Sequence, residues 1–171
     1  MSTESFMDRY GARLIANSYS IIPGIVKPRS RGTVSLTSAN PASPVRLDPH
    51  YLEEDADLRG LLKGIDLARA IGTADALAEW RLREVVPGPA FADAASLERF
   101  VRSSVCTWYH PVGSCKMGVD ADAVVDPELK VRGLEGLRVA DASIMPTIVS
   151  ANTNAASIMI GRRAAGLIIG A

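Results

Sequence analysis

The sequence has few of the features that mark several large classes of protein. Its 2 cysteines, Cys106 and Cys115, provide no disulfide framework, and we interpret them as reduced thiols of a cytoplasmic protein. The longest apolar runs are too short to span a bilayer. The polar start, Met1–Tyr10, is not typical of a secretory signal peptide. The 19 basic and 19 acidic residues cancel, so the charge indicates neither nucleic acid nor an anionic membrane as a partner.

A further absence concerns nucleotide binding. Gly-x-Gly-x-x-Gly occurs nowhere in the 171 residues, so the usual dinucleotide-binding fingerprint is missing. What the chain does have is a hydrophobic content of 47%, which is typical of a folded protein with a real core.

Hydrophobic periodicity predicts a mixture of strands and helices. Apolar and polar residues alternate over 31–37 and again over 45–47, which indicates a hairpin of half-buried strands with a turn at 38–44. Apolar residues at intervals of three and four predict a helix over 55–71, whose first turn carries acidic residues. A short helix over 74–83 is also expected.

The second half of the chain is also predicted to contain both helices and strands. Ser96 is the predicted cap of a helix, and short strands are expected over 124–127 and 137–141. Good helix formers predict a final helix from Thr153 to Ile169, with Asn152 as its cap. The fold class that these elements predict is α+β, with antiparallel strands and flanking helices.

His110 is the strongest candidate for chemistry that the residues alone provide. Pro111 restricts it to extended geometry, and a histidine held in such a loop could act as a general base. The alternative is a packed or surface histidine. A metal site of Cys106, His110 and Cys115 is a weak alternative, because the spacing fits no strong zinc pattern and a fourth ligand is missing. We therefore predict no metal.

Asn152 and Asn154 lie at the start of the last helix. Helix N-termini offer free N–H groups and a positive dipole end, so this position could seat an electron-rich group. Helix capping is the simpler interpretation, and the residues alone do not decide between the two.

Three segments together resemble one known family. The segments 109–118 (YHPVGSCKMG), 137–146 (LRVADASIMP) and 152–161 (NTNAASIMIG) resemble the histidine motif, the following segment and the closing helix of the glucose-methanol-choline (GMC) oxidoreductases. Upstream, 27–32 (KPRSRG) and 48–52 (DPHYL) are also similar to that family. The resemblance runs from about Tyr19 to Ile169 in the right order and spacing.

The resemblance implies a reaction and two catalytic residues. Members of the family oxidise alcohols to carbonyls by hydride transfer to FAD. His110 would match the catalytic base, and Asn152 would match the partner that hydrogen-bonds the substrate oxygen. The substrate would be an alcohol, but neither its identity nor the final electron acceptor is specified.

The resemblance also assigns four residues to the cofactor. Asp141 and Ala142 would match residues near the ribityl and phosphate part of FAD, and Asn154 and Ala155 would lie against the flavin ring. The main FAD-binding unit of the family, with its glycine fingerprint, has no counterpart in this sequence.

That difference predicts the organisation of the chain. We expect a C-terminal piece of a GMC oxidoreductase, with half of a substrate domain over 1–105 and, over 106–171, the active-site loop, short strands and final helix that complete the FAD site. Three hypotheses follow: half of a split enzyme completed by a separate FAD-binding chain, an inactive remnant, or a binding module of the same fold. We also expect the last helix to leave Ile158, Ile168 or Ile169 uncovered.

Overall fold

The protein forms two compact units in a computed structural model that describes residues 17–170. The described part of the first unit comprises residues 17–32 and 49–106, and that of the second comprises 33–48 and 107–170. The expectation about a signal peptide at Met1–Tyr10 lies outside the described residues. The division into a substrate-domain half over 1–105 and a cofactor-completing part over 106–171 concerns a larger protein, and it stays a prediction.

Two helices build the core of the first unit. Helix α1 spans Asp55–Gly72, which confirms the predicted helix over 55–71, and helix α2 spans Ala94–Ser104. The two helices pack on each other, and the rings of Phe91 and Phe100 meet at a centroid distance of 5.3 Å. The buried apolar residues of this core are Leu52, Leu58, Ile65, Leu97, Phe100 and Val101.

Asp57 ties the segment before the hairpin to the start of α1. It is buried, and its carboxylate accepts hydrogen bonds from the backbone N–H of Arg29 (2.8 Å), the N–H of Ser30 (2.8 Å) and the Ser30 hydroxyl (2.6 Å). Burial raises the pKa of Asp57, but the bonds from Ser30 and Arg29 outweigh it and hold the pKa below its usual value. The sequence suggested only a favourable dipole interaction here.

The cap of α2 differs from the prediction. Asp93, not Ser96, is the cap, and its carboxylate accepts hydrogen bonds from the Ser96 N–H (2.9 Å) and the Ser96 hydroxyl (2.6 Å). Ser96 is buried inside the first turn. Asp and Ser both suit a cap and stand three residues apart, so the sequence alone did not separate the cap from its partner.

The segment predicted as a short helix over 74–83 is a 3₁₀ helix, Asp75–Trp80, with no buried residue. A second 3₁₀ helix spans Pro89–Phe91. Without a buried face, this segment lacks the packing that usually stabilises an α-helix.

The second unit begins with the predicted hairpin. Strands β1 (Thr33–Ser35) and β2 (Arg46–Asp48) pair antiparallel, with Val34 opposite Leu47. The expected half-burial is wrong, because Val34 is 57% exposed and Leu47 68% exposed. Neither face of the hairpin is covered within the described residues, so the alternation predicts the strands correctly but not a buried face.

The rest of the second unit is a set of loops around Val125, which is fully buried. The predicted strands over 124–127 and 137–141 are wrong as strands. They form only isolated bridges, in which Val125 pairs with Met117 and Val131, and Lys130 pairs with Arg138. A 3₁₀ helix spans Ala142–Ile144, and helix α3 spans Asn154–Ile169. The buried apolar core consists of Val125, Leu129, Ile144, Met145, Ile160 and Ala164.

The two antiparallel strands and the helices confirm the α+β fold class. Across residues 17–170, no helix combines the length and the apolar character needed to cross a bilayer.

Candidate active site

The backbone of the histidine loop is fixed on both sides of His110. Tyr109 has φ of 63°, in the left-handed region that bulky residues seldom adopt, and its N–H donates to the Thr107 hydroxyl at 2.9 Å. Pro111 restricts the other side. His110 itself is half-buried.

The chain after His110 is held against the segment 143–145. The N–H of Cys115 donates to the Ser143 carbonyl at 3.0 Å, and the N–H of Met117 donates to the Ile144 carbonyl at 2.8 Å. Gly113 has φ of 87°, and a Cβ on it would lie 3.4 Å from the Met145 carbonyl oxygen. Glycine is therefore favoured at this position, where the loop turns onto that segment.

His110 is attached to the start of α3 by a residue that the sequence did not single out. Its Nδ1 atom lies 3.0 Å from the hydroxyl oxygen of Thr153. Thr153 is buried and stands at the cap position of α3, so the expected cap at Asn152 is wrong by one residue. The Thr153 side chain makes no capping bond to the helix. In the sequence it resembles an ordinary helix-start threonine, and no signal there distinguishes it.

The contact brings His110 next to the other predicted residues at the helix start. Asn152, Asn154 and Ala155 directly flank Thr153 or follow it, and all three are exposed. No hydrogen bond joins Asn152 to His110 within the part of the chain that the structure describes. The first N–H groups of α3 have no partners from within the helix, and they carry its positive dipole end.

Asp141 and Ala142 lie on the segment that supports the histidine loop. The Asp141 side chain caps the 3₁₀ helix Ala142–Ile144 by accepting from the Ser143 N–H at 2.8 Å. Hydrogen bonding from the side chain and backbone of Ser143 lowers the pKa of Asp141, which favours the ionised carboxylate. Asp141 is exposed and Ala142 is half-buried.

The site offers acid–base groups rather than metal ligands. Among residues 17–170, no three His, Cys, Asp or Glu side chains lie close enough together to hold a metal ion. The groups present are a half-buried imidazole and an exposed amide at the start of α3, and a carboxylate on the segment that supports the histidine loop. Such groups can move a proton and hold polar groups.

The solvent-facing side of α3 carries several large apolar residues together with Arg162. Ile158 is 66% exposed, Ile168 64% and Ile169 76%, which confirms the expectation that this helix leaves apolar residues bare. Met159 is similarly exposed. The opposite side packs Ile160 and Ala164 into the core of the second unit.

The fold and the motifs identify a class of protein. An α+β chain with this histidine loop and closing helix has the architecture of the C-terminal part of flavoprotein alcohol oxidoreductases. The chain belongs to the GMC oxidoreductase family, whose C-terminal family model, described as GMC oxidoreductase, matches residues 28–161.

Individual relatives agree with that assignment. The chain is 48% identical to "Alcohol dehydrogenase [acceptor]" of Pseudomonas putida over 83% of its own length and 26% of that protein. It is 42% identical to choline oxidase of Arthrobacter globiformis, over 94% of the chain and 30% of the relative. The solved structure of pyridoxine 4-oxidase from Mesorbium loti matches with a TM-score of 0.81 and 38% identity, over 86% of this chain and 29% of that one. The chain therefore spans less than a third of each of these proteins.

Proposed function

We propose that the chain is the C-terminal portion of an FAD-dependent alcohol oxidoreductase and supplies its acid–base groups. The contact between the His110 ring and Thr153 carries the proposal, because it holds an imidazole at the start of α3, beside Asn152. Among the solved structures that the chain matches, one is named an FAD-dependent oxidoreductase, from Chaetomium thermophilum, and another concerns FAD modification in formate oxidase of Aspergillus oryzae. One relative is named an alcohol dehydrogenase. An FAD-binding unit, on a longer chain or on a separate one, would complete the site.

The residues present fit one side of a flavin. A flavin, when bound, would accept the hydride from the alcohol carbon. The positive end of α3, with the exposed Asn154 and Ala155, suits an electron-rich ring edge, and the small side chain of Ala155 permits close approach. Asp141 and Ala142 would contribute to the ribityl and phosphate end.

The chain's own residues have distinct roles in this proposal. The Nδ1 atom of His110 is engaged by Thr153, and Nε2 has no hydrogen-bond partner among residues 17–170. Nε2 is therefore the atom that would take the hydroxyl proton of the alcohol. The exposed Asn152 amide would donate to the same substrate oxygen and orient it. A positioned base typically contributes about 10²- to 10⁴-fold in rate.

The test is flavin reduction by an alcohol in a complex of this chain with a GMC FAD-binding unit. His110→Ala should slow anaerobic flavin reduction by roughly 10²- to 10⁴-fold while leaving the flavin content of the complex unchanged. His50→Ala is the matched control, because His50 is the other histidine of the chain and lies in the first unit. Unchanged reduction in the His110→Ala complex would remove His110 from the reaction.

A second measurement concerns the chain without that unit. We expect no stoichiometric FAD after desalting, because the glycine fingerprint that seats the pyrophosphate is absent. Visible absorbance of the purified chain gives the flavin content. One flavin per chain would contradict the need for a completing unit.

A further inference from the structure

Thr153 occupies a cap position without acting as a cap. Threonine at a helix start usually accepts a hydrogen bond from the N–H two or three residues ahead. Here the side chain makes no such bond, although the residue is 8% exposed and has little access to water. Its hydroxyl oxygen lies instead 3.0 Å from Nδ1 of His110, which is 43 residues earlier in the chain.

The start of α3 is organised by other groups. The Ser157 hydroxyl donates to the Thr153 carbonyl at 2.8 Å, and the Ser157 N–H donates to the same carbonyl at 2.9 Å. These bonds hold the first turn through the Thr153 backbone. The Thr153 hydroxyl is therefore available for the imidazole and is not needed to begin the helix.

The chemistry of imidazole determines what this hydroxyl can do. A neutral ring carries one proton, on Nδ1 or on Nε2, and only the nitrogen without it can accept another. If the hydroxyl donated to Nδ1, the ring proton would be on Nε2, and Nε2 could not act as a base. If Nδ1–H donates to the hydroxyl oxygen, the lone pair is on Nε2. That same bond persists once Nε2 has been protonated, because Nδ1 is a donor in both states.

We propose that Thr153 is a positioning residue that accepts a hydrogen bond from Nδ1–H of His110 and so keeps the Nε2 lone pair available for the substrate proton. The inference rests on the proposed function, because it presumes that His110 is the base. It adds a residue whose proposed role is exercised through the histidine ring.

The first experiment reads the ring directly. In the ¹⁵N-histidine-labelled 171-residue chain, nitrogen chemical shifts distinguish the two tautomers, and with only two histidines the signals are assigned by His50→Gln. At a pH about two units above the ordinary histidine pKa of about 6.5, we expect His110 to be mainly the Nδ1–H tautomer. Thr153→Val has nearly the same shape but no hydroxyl, so the ring should revert toward the Nε2–H form that prevails in water. Thr153→Ser should restore the native pattern.

Ser157→Ala is the matched control. It removes a hydrogen bond from the same helix start but leaves the Thr153 hydroxyl in place, so the tautomer should not change. A native Nδ1–H signal in Thr153→Val would overturn the proposal, as would an Nε2–H signal in the unmutated chain. If Thr153→Val does not fold, the Thr153→Ser and unmutated spectra still decide it, since both must show the Nδ1–H form.

The second experiment uses the complex with an FAD-binding unit. Thr153→Val should slow flavin reduction by roughly 2- to 10-fold, the range that one hydrogen bond supports, with Thr153→Ser close to the native rate and flavin content unchanged. A full rate in Thr153→Val beside a slow His110→Ala would overturn the positioning role alone. A full rate in His110→Ala would instead overturn the proposed function, whatever the tautomer.

Discussion

Removing the Asp57 carboxylate should be the most destabilising single polar change in the first unit. Its oxygens receive three donors: the N–H groups of Arg29 and Ser30 and the Ser30 hydroxyl, at 2.6–3.0 Å. Hydrogen bonds to a charged group contribute about 1.5–3 kcal/mol each, and a donor left without a partner costs about 1–3 kcal/mol. Since Arg29 is exposed, water can replace part of the loss. We therefore expect Asp57→Ala to lower the free energy of unfolding by about 2–4 kcal/mol.

The control is a neighbouring acidic residue without these bonds. Asp55 lies in the same first turn of α1 and is exposed, so Asp55→Ala should cost only the dipole interaction, about 0.3–1 kcal/mol. Urea unfolding followed by circular dichroism measures both. Equal stability of the Asp57→Ala and Asp55→Ala chains would refute the view that this carboxylate holds the 28–30 segment on α1.

The pH dependence carries a definite sign. Because the folded pKa of Asp57 is below the usual 3.8, the ionised carboxylate stabilises the fold above that value, and the contribution disappears as the pH falls through the folded pKa. The stability gap between the native chain and Asp57→Asn should therefore shrink below a pH of about 4. A gap that stays constant down to acid pH would show that ionisation of Asp57 does not contribute.

Two other substitutions test the packing of the second unit and of α1. Val125→Ala should lower the free energy of unfolding in urea by about 2 kcal/mol, because Val125 is fully buried. Val124→Ala, at a site that is 37% exposed, is the control and should lower it by less. Equal decreases for the two variants would show that Val125 is not at the centre of the core. Gly161→Ala should raise the free energy of unfolding by up to about 1 kcal/mol, since Gly161 lies inside α3 and no atom is within 4 Å of an added Cβ. Gly64→Ala should instead destabilise the chain, because the added Cβ would lie 2.8 Å from the Cβ of Pro23.

Local periodicity predicted the helices well. The apolar spacing over 55–71 and the helix formers before Ile169 gave α1 and α3 to within two residues, because each helix buries one face. The caps were less predictable. Asp93 rather than Ser96, and Thr153 rather than Asn152, hold the cap positions, because neighbouring polar residues of similar propensity compete and tertiary contacts decide between them.

The hairpin strands followed from local alternation, whereas the bridges around Val125 and the site depended on contacts that no local pattern reports. Val125 forms single bridges with two different segments, at Met117 and Val131, and is not part of a continuous ladder with one partner. The bond between Thr153 and His110 joins positions 43 residues apart, and the left-handed backbone at Tyr109 is not a conformation that tyrosine favours. The family resemblance indicated His110, but not the group that holds its ring.

Helix α3 carries exposed isoleucines and, at its start, the polar residues that are proposed to contact the substrate and the flavin. Full burial of an isoleucine such as Ile158 or Ile169 would contribute about 1.5–3 kcal/mol. They are bare instead, on the same helix whose start presents Asn152 and Asn154 to solvent. A surface that covered both these isoleucines and the start of α3 would bury apolar area and exclude water from Asn152 and Asn154. The free energy gained by burying the isoleucines would then help to maintain low-dielectric surroundings at the start of α3. A positioned imidazole and amide act most strongly in such surroundings. Under the proposed function, an FAD-binding unit would provide that surface.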